Sequence, residues 1–377
     1  MKIIHVIPNI ERGGAERAMI IMARETVLRG HHVRIVVLGN KNAYADALPK
    51  NIPVNMLGYS LSYRKIYDSI RCIRRLRAII EEFEPDILHS HLWPAARMAG
   101  WALRQASCPH VVHVQDTMSW LKAKDFRSRM MRFLTRTALR KSNVYYVAVG
   151  KTVAQYTQAS FPWIGGKVEV IPNCFDDRLF EESPIFKEKP GDGVLTFGTA
   201  ARLVPNKGID RCLLALARSK IQVPWRYLVV GDGSERSSWE SLAGELGLGD
   251  RVRFLGMVAD MPSFYRQVDV YVQPSLAMEG LPLALAEAMA CGVPVVATDV
   301  GSTRELVRHA VDGLIVPPDD VVGLAGALEA LANNQDLRLK MARSAYERAW
   351  SEFSSTQMVE RVMRFYDQVL EHKRRLN

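Results

Sequence analysis

The chain has 377 residues, too long for one ordinary core and comfortable for two domains. Its 48% hydrophobic and 24% charged residues are those of a globular protein and exclude a disordered, collagenous or coiled-coil chain. The net charge of +10 is one-sided: residues 1–180 carry 27 Lys and Arg against 14 Asp and Glu, and residues 181–377 carry 23 against 26, so an anionic partner is expected for the first half only.

No stretch approaches the roughly 18–20 apolar residues of a membrane span. The opening MKIIHVIPNIERGG has too short an apolar run for a signal-peptide core, so the expected address is the cytoplasm. Cys72, Cys108, Cys174, Cys212 and Cys291 are scattered and form no C-x-x-C pair, which reads as reduced structural thiols.

In chain order, strands are predicted at 2–8, 33–38, 86–91, 110–115, 144–150 and 168–173, with helices between them. The first helix opens at Gly13-Gly14 and stops at Gly30; others cover the Ile66–Ile80 stripe and 93–106. Apolar strands alternating with helices imply a parallel sheet covered on both faces. The charged, Pro- and Gly-rich stretch 181–193 reads as an interdomain linker. The alternation then restarts, with strands at 194–200, 226–231, 251–256, 268–274, 294–298 and 313–317. Three helices near 319–332, 335–350 and 356–375 finish the chain. Two doubly wound sheets imply ligand sites at their strand C-terminal edges, across a cleft.

Several residues at those edges have suitable chemistry. Gly13 and Gly14 open a helix directly after a strand, which suits a phosphate or acceptor loop and equally a tight turn; Glu16 suits the helix dipole. The spacing is not G-x-G-x-x-G, so a nicotinamide or flavin fingerprint is absent. His89, His91 and His113 lie near strand ends. His113, three residues before Asp116, is the functional candidate; His89 and His91 read as mostly structural, with a zinc site from the three left open. Arg202 and Lys207 follow the strand at 194–200 and suit a diphosphate, or are solvated surface charges. In EGLPLALAEAMACG, Glu279 and Glu287 are eight residues apart around a helix start. Free N–H groups of Gly280, Leu281 and Leu283, on either side of Pro282, are aimed at a phosphate. A capped amphipathic helix explains the glycine and alanines but not a carboxylate embedded in LALAEAMA.

The block EGLPLALAEAMACGVPVVATDVGSTREL, with RLVPNKG, VIPNCFD and RGGAER, resembles glycosyltransferase family 4, in order and over nearly the whole chain. The resemblance implies a GT-B fold: two Rossmann-like doubly wound α/β domains facing a central cleft. These would be an N-terminal acceptor-binding domain (1–183, with helix 356–377 returning to it), a linker (184–193) and a C-terminal donor-binding domain (194–355). It implies a retaining transferase moving a hexose or N-acetylhexosamine from a nucleotide sugar, UDP-linked before GDP-mannose, to a lipid-linked or cell-surface glycan. Such a reaction belongs to lipopolysaccharide, capsule, exopolysaccharide or glycoprotein glycan synthesis. By resemblance, Gly13 and Gly14 lie near the donor diphosphate and acceptor, and His113 beside the donor sugar. Arg202 and Lys207 hold the diphosphate, Glu279 the sugar and Glu287 the ribose, while Asn173 lies at the hinge and cleft. No D-x-D triplet occurs in the chain, in keeping with a metal-independent site and no cofactor. The alternatives are another GT-B enzyme, an epimerase or phosphorylase, or a non-catalytic sugar-nucleotide-binding subunit.

Two segments hold much of the basic charge. The first, 63–80, reads as a core stripe with a solvated basic edge. The second, 119–141, mixes Lys122, Lys124, Arg127, Arg129 and Arg132 with Trp120 and two phenylalanines, which fits an anionic membrane surface at about 1 kcal/mol per basic residue, or again a core stripe with a solvated basic edge. With Glu16 and His91 it makes an expected acceptor- or membrane-facing side, peripheral at the inner face of the cytoplasmic membrane. No nucleic-acid-binding motif accompanies the charge.

Overall fold

A computed structural model describes the chain except residues 12, 44–47, 60–65, 104–107, 117–125, 141–142, 165–167, 181–185, 187–191, 278 and 377. The chain divides into two compact units: Met1–Cys174 with Ser355–Asn377, and Phe175–Ser354. The first boundary falls before the expected 183 because the Phe175 N–H donates to Phe353 O at 3.1 Å and the Phe175 ring packs edge-on against Trp350. These contacts tie the segment after Cys174 to the second unit. Most of the expected linker lies outside the described residues; Asp192, near its end, pairs with Arg226 at 2.7 Å.

In the first unit seven parallel strands form one sheet: β1 (Lys2–Ile7), β2 (His32–Val37), β3 (Val54–Met56), β4 (Ile87–His91), β5 (His110–Val114), β6 (Val144–Ala148) and β7 (Val168–Val170), in the order β3-β2-β1-β4-β5-β6-β7. The helices are α1 (Gly14–Leu28), α2 (Ile66–Phe83), α3 (Trp93–Ala102), α4 (Phe126–Leu139) and α5 (Lys151–Ser160). Alternation sorts the strand side chains. Ile3, Ile7, Ile35, Ile87 and Val111 share a core with α1 and the chain's last helix, whereas Ile4, Val6, Val36 and Leu88 pack against α2 and α3. β3 is an unanticipated edge strand of three residues, too short to leave a periodic signal. The strands expected at 144–150 and 168–173 end earlier, at Ala148 and Val170.

The second unit holds six parallel strands, β8 (Leu195–Ala200), β9 (Trp225–Val230), β10 (Val252–Gly256), β11 (Val270–Gln273), β12 (Val295–Thr298) and β13 (Gly313–Val316), in the order β10-β9-β8-β11-β12-β13. Its helices are α6 (Ile209–Arg218), α7 (Arg236–Glu245), α8 (Met261–Gln267), α9 (Leu283–Ala290), α10 (Thr303–Leu306), α11 (Val321–Asn333) and α12 (Gln335–Glu352). Side-chain caps fix three helix starts: Asp260 accepts from Ser263 N at 3.0 Å, Asp320 from Gly323 N at 2.8 Å and Asn334 from Leu337 N at 3.0 Å.

The final helix, α13 (Ser355–Leu376), belongs to the first unit, where Met358, Val359, Val362 and Tyr366 join the α1 face of the core. In each sheet the strand order reverses beside the first strand of the unit, between β1 and β4 and between β8 and β11. Crevices form outside strand C-termini at such points. Among the described residues no helix is long and apolar enough to cross a membrane.

Candidate functional site

The chemistry of the second unit gathers at the C-terminal ends of β8 and β11. Arg202 follows β8, is exposed, and its guanidinium has no partner among the described residues. Lys207 ends a 3-10 turn (Pro205–Lys207), and Gly208 follows with φ +62°. A Cβ at Gly208 would stand 2.2 Å from Pro274 O. Glycine therefore lets this turn press against the loop after β11, beside which Lys207 reaches Glu279.

Three donors converge on one oxygen of Glu279. Lys207 Nζ donates to Oε1 at 2.5 Å, Ser275 Oγ at 2.6 Å and Gln273 Nε2 at 3.3 Å. Gln273 is itself fixed by the Tyr271 hydroxyl on its Oε1 at 3.0 Å, and the Thr298 hydroxyl donates to Ser275 O. Glu279 is 7% exposed, so a single unpaired carboxylate there would be costly. The bonds on Oε1 meet that cost and leave Oε2 for a ligand. Gly301, with φ +56°, closes over the same residue: a Cβ there would lie 1.8 Å from Glu279 O.

Glu287 lies on α9, which starts at Leu283 because Pro282 is still extended (φ −71°, ψ 107°). It thus sits on the second turn. It is buried, and the Tyr265 hydroxyl donates to its Oε2 at 2.8 Å. The N–H groups of Gly280, Leu281 and Leu283 have no partner among the described residues. Open N–H groups at a helix start, with Lys207 and Arg202 on neighbouring loops of the same sheet edge, form an anion-binding arrangement. Gln273, Ser275, Thr298 and Tyr265 escaped the sequence reading. The signal for the first two was polar residues ending the apolar strand VDVYVQPS.

In the first unit, Gly13 is extended (φ −138°) and caps α1, and Gly14 opens it. A Cβ at Gly13 would meet Glu16 Oε2 at 2.4 Å, so the Glu16 side chain folds over the loop rather than outward. His113 and His91 are deeply enclosed. Both lie inside the sheet face, 1% and 0% exposed, among His5 and His89. His91, the last residue of β4, and His113, the fourth of five in β5, stand near the strand ends as expected, but burial keeps His91 off any exposed membrane-facing side. Burial, with repulsion from neighbouring imidazoles, drives His89 and His91 well below the ordinary histidine range, and burial drives His113 to about 3. The rings are neutral at pH 7. Beyond β5 the half-buried Gln115 accepts from Asn173 Nδ2 at 2.7 Å, so Asn173 and Gln115 form the polar pair at this edge.

Of the expected membrane-facing residues, Trp120, Lys122, Lys124 and the side chain of Arg127 lie outside the described residues. Arg129 is exposed and Arg132 half-buried on α4. Met131, Thr135 and Ala138 face inward; Phe126 (81% exposed), Arg129, Phe133 (64%), Arg136 and Arg140 form the opposite stripe.

Two family models match the chain: Glycosyltransferase Family 4 over residues 12–179 and Glycosyl transferases group 1 over 181–348. The chain belongs to glycosyltransferase family 4. Its two parallel α/β units are the Rossmann-like domains of the GT-B fold. Among curated relatives of this family 4 chain, an exopolysaccharide phosphotransferase of Streptomyces coelicolor is 32% identical over 53% of this chain, which spans only 21% of that longer protein. The phosphatidyl-myo-inositol mannosyltransferase of Mycolicibacterium smegmatis is 28% identical over 95% of this chain and 90% of its own length. Among solved structures, Anabaena HepE in complex with UDP superposes with a TM-score of 0.82 at 24% identity, covering 98% of this chain and 100% of that one. The chain is a glycosyltransferase.

Proposed function

We propose that this glycosyltransferase moves a hexose or N-acetylhexosamine from a nucleoside diphosphate sugar to a lipid-linked or cell-surface glycan acceptor, with retained anomeric configuration. The favoured donor is a UDP sugar, with GDP-mannose next. The observation that carries the reading is Glu279, held on one oxygen by Lys207, Ser275 and Gln273 beside the open N–H groups before α9. A bound anion there meets two cations and a helix start; a bound sugar meets a carboxylate oxygen that has no partner among the described residues. The relatives support the class of substrate: one is named for a phosphatidylinositol acceptor, and one structure holds UDP.

Arg202 and Lys207, with the N–H groups of Gly280, Leu281 and Leu283, stabilise the negative charge that develops on the departing nucleoside diphosphate. Glu279 takes donor-sugar hydroxyls, and Glu287, oriented by Tyr265, takes ribose hydroxyls. In this reading two side-chain cations and a helix start carry the leaving charge, so transfer proceeds without a metal or cofactor. The leaving phosphate accepts the acceptor's proton on the same face. Gly13, Gly14, Glu16, Gln115 and Asn173 line the acceptor-side edge of the first unit, and the exposed α4 stripe attaches that unit to an anionic membrane surface.

The test is a thermal-shift panel of UDP and GDP sugars without added metal. A ligand at 100 times its dissociation constant stabilises by roughly 2.7 kcal/mol, a readable shift. A shift with one nucleotide names the donor class; none with any, on folded protein, refutes the sugar-nucleotide reading for the free enzyme. Incubation with donor alone, or with a sugar phosphate, separates transfer from epimerase and phosphorylase chemistry.

A further inference from the structure

The sheet of the first unit buries a group of imidazoles. Parallel register pairs His5 on β1 with His89 on β4, and His91 on β4 with His113 on β5. His89 and His91 are two residues apart on one strand and so project from one face, the face His5 also uses. The ring centroids of His89 and His91 lie 4.4 Å apart, with His5 at 5.2 Å from His91 and 5.4 Å from His89. All three are 0% exposed.

The nitrogens of this group are under-used. His5 Nδ1 and His91 Nε2 are 3.0 Å apart, and His89 Nδ1 meets the Tyr366 hydroxyl at 2.5 Å. His5 Nε2, His89 Nε2, His91 Nδ1 and both nitrogens of His113 have no partner among the described residues. Buried polar atoms left this way are costly and uncommon, and several from different strands in one place point to a missing shared partner. One nitrogen from each of His5, His89 and His91 can be chosen so that all lie within 4.8 Å of one another. A tetrahedral zinc site, with Zn–N of about 2.0–2.1 Å, needs about 3.3–3.4 Å between ligand atoms, a closure that side-chain rotation supplies.

We infer that His5, His89 and His91 form a structural metal site for a dication of the zinc class. A donor set of imidazoles alone suits zinc, copper or nickel and not magnesium or calcium. The Tyr366 hydroxyl orients His89 through Nδ1 and leaves Nε2 for the ion, the usual work of an outer-shell partner. His113, whose ring lies 5.3 Å from that of His89 and 5.4 Å from that of His91, is the available fourth donor. The ion ties β1 to β4 and, through Tyr366, to α13. This site is separate from the donor chemistry of the second unit and stands or falls without it.

The site is closed to solvent, so the full chain, free of any purification tag, is to be loaded in two ways: by expression in zinc-supplemented medium and by refolding with zinc sulfate. Each preparation is dialysed against a chelator and its zinc measured by plasma mass spectrometry; its first shell is read by X-ray absorption. One zinc per chain is expected, with nitrogen neighbours at about 2.0–2.1 Å, imidazole scattering, and a higher melting temperature than protein refolded with chelator. His89→Asn and His91→Asn are expected to lose the ion. Only traces of zinc in both preparations overturn the site, as does full zinc in a folded His91→Asn variant. Should the variants not fold, the wild-type absorption spectrum decides: a sulfur shell at about 2.3 Å, from the buried thiols, or an oxygen shell overturns it.

Discussion

The pair Lys207 and Glu279 can be tested as a unit. Lys207 Nζ lies 2.5 Å from Glu279 Oε1, with side-chain exposures of 20% and 8%. Breaking a fully buried pair by removing one partner costs about 3–5 kcal/mol. Here Lys207 reaches water, and Ser275 and Gln273 remain on the same oxygen. The pairwise term should therefore fall to that of one charge-assisted hydrogen bond, about 1.5–3 kcal/mol. The variants Lys207→Met and Glu279→Gln and their double combination form the cycle. Urea unfolding gives the stabilities, with the transition assigned to the second unit by hydrogen exchange of β8–β13 amides, because a two-unit chain need not unfold in one step. A coupling energy of about 1.5–3 kcal/mol is expected. Single effects that add to within about 0.3–0.5 kcal/mol refute the pairing. In turnover, Lys207→Met should lower kcat by about 10²–10³ if the cation meets the leaving charge.

Gly301→Ala places a methyl group 1.8 Å from Glu279 O at a left-handed backbone position; a loss of about 1–3 kcal/mol and weakened UDP-sugar binding are expected, and unchanged binding refutes the role of this contact. Asp312 accepts from Arg308 Nη2 at 2.6 Å, Arg308 Nε at 2.8 Å and Ser344 Oγ at 2.8 Å. Burial alone pushes its carboxyl up, but these bonds outweigh it and hold it below the ordinary 3.8. Its contribution is therefore present above that value and lost as pH falls through the lowered one. Asp312→Asn should cost on the order of 3 kcal/mol at pH 7, with a gap to wild type that narrows below pH 3.8; a gap constant down to pH 2 contradicts this. Burial pushes the thiols of Cys72, Cys108, Cys212 and Cys291 up to about 12, so alkylation at pH 8 should spare the first three until denaturant is added, and prompt native labelling would contradict it. Removing two basic side chains from the α4 stripe, Arg129→Glu with Arg140→Glu, should weaken binding to anionic vesicles by at least about 2 kcal/mol, roughly thirtyfold; flotation unchanged at low salt sinks the membrane reading.

The alternation of apolar runs and helices was legible because both sheets are parallel and covered, so their central strands are apolar on both faces. β3 was not legible: three half-exposed residues at a sheet edge carry no period. The start of α9 is set by local geometry that a motif does not spell out, since Pro282 remains extended and delays the helix to Leu283. In the second unit the chemistry lay close together in sequence, and Glu279, Glu287, Arg202 and Lys207 stood out as charges interrupting apolar or glycine-rich text. Their supporting residues were hidden because Gln273, Ser275 and Thr298 acquire meaning only where β11 and β12 end side by side.

The first unit shows how strand phase decides between core and site. In HVVHVQD, residues 111, 113 and 115 share one face of β5, so a histidine at 113 and a glutamine at 115 point the same way and differ only in depth along the strand. Depth depends on where neighbouring strands stop and what covers them. β4 runs to His91, in register with His113, and α1 and α13 close over that level. The covered level therefore takes His5, His89, His91 and His113, and the next residue outward on that face, Gln115 just past β5, meets Asn173 at the open edge. Sequence spacing alone gives the face but not the depth. The same argument makes the histidines informative: four rings at a level where isoleucine and valine fill the adjacent positions have no access to water, so any partner for their open nitrogens lies inside the sheet.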